Sequence, residues 1–195
     1  MENYALLIVD FQNDFCPGGA LAVPEGDSVV PVLNEYIKLF KDVDLPVFAS
    51  RDWHPEVTKH FKDYGGLWPR HCVQGTKGAE FHSGLVLPPD TIIISKGEDP
   101  EKDSYSAFQA SDRMARPFIE VLRAKGITHL YVGGLATDYC VRATVLEGIE
   151  KGFSVTVMLD AVKGVDLNPG DSEKALDEMF KRGAGKTTIK EIRLT

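Results

Sequence analysis

The run GGLATDYCVRAT sets a thiol, Cys140, a few residues past an apolar stretch, where a helix begins. Unpaired backbone N–H groups and the positive end of a helix dipole favour a thiolate in such a place, and Thr137 or Asp138 can serve as the N-cap. Alone, Cys140 reads as packing, because cysteine is among the most buried residue types. Two distant residues change that. Asp10 follows the strand-like run ALLIV and Lys96 follows TIIIS. If these strand ends meet Cys140, the carboxylate can take the thiol proton as general base. The ammonium offsets the two anions, which would otherwise raise each other's pKa, and the three titrate as one coupled set.

A second constellation lies in RDWHPEVTKHFKDYGGLWPRHC. Asp52 and His54 are two residues apart, so in extended chain both side chains point the same way. Three of the five histidines, His54, His60 and His71, fall between positions 54 and 71. This Asp/His set suits a divalent ion, Zn²⁺ first and Mn²⁺ or Fe²⁺ as alternatives. His82 and His129 lie outside the cluster and read as structural. Cys16 and Cys72 lack a strand-end acid and lysine beside a helix start and read as packing. GAGKTT, from Gly183, imitates a phosphate-binding loop, but Phe180 stands where that motif needs glycine, and a helix precedes it where a strand is required.

The elements that must position these residues are legible as alternating runs. YALLIVD, LPVFAS, TIIIS, THLYVGG and SVTVMLD are near-continuous apolar strands of the kind buried on both faces of a parallel sheet. Between several of them lie the helical patterns VVPVLNEYIKLFKD, DRMARPFIEVLRAKG, DYCVRATVLEGIEKG and SEKALDEMFKRG, and TTIKEI reads as a sixth strand. Such alternation predicts one α/β domain over residues 1–195 with right-handed crossovers. Ligands of open parallel sheets bind beyond the carboxyl ends of the strands, the edge where Asp10, Asp52, Lys96 and Cys140 fall. The irregular stretch from Arg51 to Pro89 is too long for an ordinary connection, which marks it as functional.

Composition narrows the partners. A net charge of -7 argues against nucleic acid and for a small molecule. There is no apolar run near the roughly 20 residues of a membrane span, and no signal-peptide pattern, so a cytoplasmic protein with three free thiols is expected.

Together the segments LLIVDFQNDFCPGGALAV, SRDWHP, WPRHCVQGTKGAEFH, KGEDPEKDSYSAF and VGGLATDYCVRATV resemble, in order and nearly end to end, the isochorismatase-like cysteine hydrolases, and among them the branch that deamidates nicotinamide. The resemblance implies a three-layer α/β/α fold with a mostly parallel, Rossmann-like sheet of about six strands. It implies an Asp10–Lys96–Cys140 triad and a metal on Asp52, His54 and His71, with His60 as fourth ligand at a position where members of the family differ. It further implies a non-proline cis peptide at Ala136–Thr137 and an oxyanion hole formed by the N–H groups of Ala136 and Cys140. Phe15, Leu21, Trp68, Tyr105, Leu135 and Tyr139 match its substrate walls. The implied reaction converts nicotinamide to nicotinate and ammonia through a thioester in NAD salvage, with pyrazinamide as a second substrate. The competing reading is an amidase of the same superfamily acting on a carbamoyl or ureido compound. A homo-oligomer is left open.

Overall fold

The computed structural model describes residues 3–194. Its centre is β1 (Tyr4–Val9), in which Ala5 to Val9 are wholly buried. An apolar strand without a polar face must be covered on both sides, and the packing follows its period of two. Leu7 and Val9 pack with Phe48, Ile94, Phe118, Val145 and Met179 on one face, while Leu6 and Ile8 pack with Leu33, Tyr36, Phe40 and Tyr131 on the other.

The sheet runs β4-β3-β2-β1-β5-β6-β7, with β2 at Val47–Asp52, β3 at Ile92–Lys96, β4 at Ser111–Asp112, β5 at His129–Leu135, β6 at Ser154–Lys163 and β7 at Gly185–Thr187. All pairings are parallel except β3 with β4. Helix α1 (Val30–Asp42) buries Leu33, Tyr36, Ile37 and Phe40, one stripe at helical spacing, on the Leu6/Ile8 face. Helices α2 (Phe118–Ala124), α3 (Arg142–Glu150) and α4 (Asp171–Lys181) cover the opposite face. This is the expected three-layer α/β/α arrangement, and its strand order reverses between β1 and β5.

Several boundaries differ from the sequence expectation. There are seven strands: β4 is a two-residue edge strand with too little pattern to notice. The predicted TTIKEI strand is displaced, since β7 takes Gly185–Thr187 and the chain turns directly afterwards. The Gly-Lys-Thr of the apparent phosphate loop is therefore strand. Helix α2 starts at Phe118 and not near Asp112, because the Asp112 carboxylate folds a turn by accepting from Met114 N, Arg116 N and the Arg116 guanidinium. Pro117 also disfavours helical backbone at the residue before it. Among the described residues no helix is long and apolar enough to cross a membrane.

One glycine brings the two central strands together at the site. Gly134, in β5, has φ +116, and a Cβ there would lie 2.2 Å from the Val9 carbonyl oxygen. Only a residue without a side chain lets β5 approach β1 so closely.

Candidate active site

Strands β1, β2 and β3 deliver Asp10, Asp52 and Lys96 to one edge, and the turn after β5 delivers Cys140. Asp10, Lys96 and Cys140 converge. Lys96 Nζ lies 2.9 Å from Asp10 Oδ2 and 3.6 Å from Cys140 Sγ, and it also pairs with Asp52 Oδ1. The Lys96 side chain is fully buried and its Nζ is 3.4 Å from the Ser104 carbonyl oxygen. Asp10 turns the chain directly after β1 with φ 46, a left-handed conformation that a non-glycine residue seldom adopts. Its Oδ1 accepts from Ser50 Oγ at 2.7 Å. Its Oδ2 faces the Lys96 ammonium as a buried ion pair.

Burial and charge set the protonation states. Burial pushes the Cys140 thiol well above its ordinary value; Lys96 opposes this, and Asp10 and Asp52 reinforce it. The helix start expected to favour a thiolate does not prevail, and the resting sulfur is a thiol. Burial raises Asp10 as well, with Lys96 opposing and Asp52 adding to the rise. For Asp52 burial acts in the same direction, but Lys96, His54 and His71 outweigh it and hold the carboxylate well below its usual range. Burial would lower Lys96, yet Asp10, Asp52 and Cys140 keep it firmly charged. The site thus holds a fixed cation, a fixed anion, and a thiol beside a carboxyl group whose proton affinity has been raised.

Cys140 sits in a single π-helical turn, Thr137–Val141, that precedes α3. The N-cap of that turn is Ala136, with no side-chain cap, so the proposed capping by Thr137 or Asp138 is not observed. Thr137 is buried, and the Asp138 carboxylate is engaged by Val165 N and Asp166 N. The non-proline cis peptide is present one bond earlier than expected, at Leu135–Ala136. That is the peptide to which the N–H of Ala136 belongs; the bond from Ala136 to Thr137 contains the N–H of Thr137.

The second constellation adjoins the first through Asp52. Asp52 Oδ1 faces Lys96, while Oδ2 lies 3.6 Å from His54 Nε2 and 3.8 Å from His71 Nε2. The Nδ1 of His54 donates to Gly97 O at 3.0 Å and the Nδ1 of His71 to Pro69 O at 2.7 Å. Committing Nδ1 in this way makes Nε2, on the Asp52 side, the ring nitrogen available to ligate a cation, which is how imidazoles are prepared for metal. Ligand atoms of Asp52, His54 and His71 all lie within 4.8 Å of one another. His60 stands outside that radius, its ring centroid 4.9 Å from that of His54. Its Nδ1 pairs with Asp103, and its buried Nε2 has no hydrogen-bond partner. An orphaned buried nitrogen beside three converging lone-pair donors fits one divalent cation. Gln12 fixes the backbone here, accepting from Asp52 N and donating to Asp52 O, both at 2.7 Å.

All six predicted wall residues, Phe15, Leu21, Trp68, Tyr105, Leu135 and Tyr139, line one cavity together with Cys140, Ala136, Asp52, His54, His60 and His71. Trp68 Nε1 donates to Tyr105 Oη at 3.0 Å, and Trp68 meets Tyr139 edge-on. Sequence reasoning missed Val165 and Leu167, which also line it, as well as Asp103 and Ser50. An acid somewhere in GEDPEKDSY was visible, but nothing distinguished Asp103 from its three acidic neighbours. The rival thiols are poor candidates: both are buried, which pushes Cys16 up to about 11 and Cys72 well above its ordinary value. His129 bonds Thr156 Oγ1 at 2.8 Å, and His82 Nδ1 accepts from Gly84 N at 3.2 Å; neither lines the cavity.

The isochorismatase domain model matches residues 4–191. The chain is 42% identical over 205 residues to the nicotinamidase of Escherichia coli (strain K12), covering 97% of this chain and 96% of that protein. It is 37% identical to the nicotinamidase/pyrazinamidase of Mycobacterium tuberculosis, covering 90% and 93%. Its fold overlays the crystal structure of the Pyrococcus horikoshii pyrazinamidase in complex with zinc with a TM-score of 0.88, at 48% identity over 95% of this chain and 99% of that one.

Proposed function

The chain belongs to the isochorismatase domain family, and from that premise we infer that it is an amidohydrolase converting nicotinamide to nicotinate and ammonia. One juxtaposition supports the reading above all: an aromatic-walled cavity lined by the Cys140 thiol and by an Asp/His metal set, with the Lys96 ammonium and the Asp10 carboxyl group buried behind the thiol. A flat heteroaromatic amide has the matching form, with an apolar ring, a basic ring nitrogen and a reactive carbonyl.

In the proposed mechanism Trp68, Tyr105, Tyr139 and Phe15 confine the ring. Asp52, His54 and His71, with His60 as fourth ligand, would hold a divalent ion, zinc by preference, which would supply a Lewis-acid partner for the ring nitrogen. Cys140 passes its proton to Asp10 as Sγ bonds to the carboxamide carbon. The raised proton affinity of Asp10 suits it to hold that proton, and Lys96 keeps the charges of the set balanced. The N–H groups of Ala136 and Cys140 receive the developing oxyanion. Asp10 then gives its proton to the departing nitrogen, so the C–N bond breaks, ammonia leaves and a nicotinoyl thioester remains. Asp10 next takes a proton from water as the water oxygen attacks the thioester, and the C–S bond breaks as Asp10 returns that proton to sulfur, releasing the thiol and nicotinic acid, which ionises to nicotinate in solvent. Pyrazinamide, which also carries a ring nitrogen meta to its carboxamide, is the second substrate we expect. A cytoplasmic enzyme supplying nicotinate for NAD salvage is the setting that fits this reaction.

The test is ammonia release from nicotinamide, pyrazinamide and a panel of carbamoyl and ureido amides, with and without chelator. Turnover confined to the two heteroaromatic amides and lost on metal removal is expected. A preference for the ureido compounds, or a nicotinoyl adduct trapped on Cys16 or Cys72, would refute the assignment.

A further inference from the structure

One wall of the cavity is made by a segment that this mechanism does not use. Between the end of β6 at Lys163 and the start of α4 at Asp171 runs a strap without regular structure, and it carries Val165 and Leu167 into the cavity lining. Carboxylates hold it from both sides. Asp138 Oδ1 accepts from Val165 N and Asp138 Oδ2 from Asp166 N, each at 2.9 Å. Asp166 in turn accepts from Ser172 N and Ser172 Oγ, both at 2.7 Å, at the first turn of α4. The strap lies so close beneath these groups that a Cβ on Gly164 would sit 1.7 Å from Ser172 Oγ.

Asp138 is two residues before Cys140, in the same π-helical turn. A single carboxylate therefore ties the nucleophile's turn to an apolar wall, and both its oxygens are occupied in doing so. Leu167 lines the cavity and yet is 68% exposed. An apolar side chain so placed loses its contact with water only when something apolar fills the cavity beneath it.

We propose that Asp138 is a positioning residue that fixes the 164–168 strap so that Val165 and Leu167 cover one side of the bound ring, making this pair a determinant of affinity for the aromatic amide. The inference rests on the functional reading above. Covering a ring is a contact made equally in the ground state and the transition state, so its loss appears in KM and not in kcat.

The experiment uses the metal-loaded full chain. Leu167→Ala, at an exposed position where folding is not at stake, is expected to raise KM for nicotinamide about tenfold while kcat stays within about twofold. Leu167→Met should restore KM. Asp138→Asn keeps the shape of the side chain but turns an amide NH₂ toward a backbone N–H, and it should raise KM to a similar extent. The double variant should do little more than either single one, since both act through the same wall. Calorimetric Kd values for nicotinamide on a Cys140→Ala background should move in parallel with KM. An unchanged KM in Leu167→Ala, additive effects in the double variant, or an Asp138→Asn that lowers kcat at constant KM would overturn the proposal. A wild-type enzyme that is inert on nicotinamide overturns the functional reading and this inference together, whereas an active wild type with indifferent variants overturns the strap alone.

Discussion

The floor of the cavity, taken with the buried charges behind it, and its rim are built by different means. Asp10, Asp52, Lys96 and Cys140 stand at strand ends or just beyond, each at most 8% exposed. The rim comes from three loops that are stitched to their surroundings by side chains: His60 to Asp103, Trp68 to Tyr105, and the 164–168 strap to Asp138. The core dictates the floor, because the sheet cannot form without bringing those four residues together. The rim is dictated by pairwise polar contacts between loops, so it can vary while the sheet stays the same. Even within the floor, two carboxylates that touch the same lysine differ in sign. Folding lowers Asp52, so its contribution to stability is present above the unfolded value near 3.8 and is lost as pH falls through the folded value. Folding raises Asp10, which favours the native state only while it is protonated, and that contribution is lost as pH rises through its folded value.

This contrast can be pressed at several points. The largest effect belongs to the floor: Cys140→Ala should lower ammonia release by at least about ten-thousand-fold, whereas Cys16→Ser should leave the chemistry running. If Cys140→Ala retained turnover and metal removal still abolished it, the floor would not be the reacting end. Next, Lys96→Met leaves Asp10 and Asp52 buried without their shared cation. Thermal or urea unfolding should then register a loss of about 3–5 kcal/mol, the usual result of breaking a buried ion pair on one side. At the rim, Asp103→Asn should weaken metal binding about tenfold in a chelator competition and leave the melting curve of the metal-free protein nearly unmoved; an equal loss of fold stability would erase the distinction. The smallest change returns to the floor. The Ser50 hydrogen bond favours the ionised form of Asp10, so Ser50→Ala should raise the proton affinity of Asp10 further and move the acid limb of the kcat/KM profile to higher pH. A shift to lower pH would mean that the limb does not report Asp10.

The same division decides what could be read from the sequence. Strand ends are visible as the points where apolar runs meet a charge, which is why Asp10, Asp52 and Lys96 could be named as a group before any geometry was known. The spacing of Asp52, His54 and His71 was equally visible, although His71 reaches the others only because loop residues 54 and 73 form a bridge beyond β2. What stayed hidden depends on choices among equivalent residues. Asp103 is one acid among several, Leu167 follows an unremarkable Val-Asp pair, and Asp138 looked like a helix cap until its oxygens were found on another segment. The start of α2 is hidden for a similar reason: Asp112 forms a local turn in place of the first helical turn, and helical periodicity carries no trace of it.

Gly134 is not among the residues lining the aromatic-walled cavity, and it would be missing from any map of functional residues drawn around that pocket. Yet the 2.2 Å between its notional Cβ and the backbone of Val9 leaves no room for even a methyl group. In a genetic selection for loss of this amidase, lesions at Gly134 should recur alongside those at Cys140 and Asp10, by wedging apart the two strands that lead to Asp10 and Cys140.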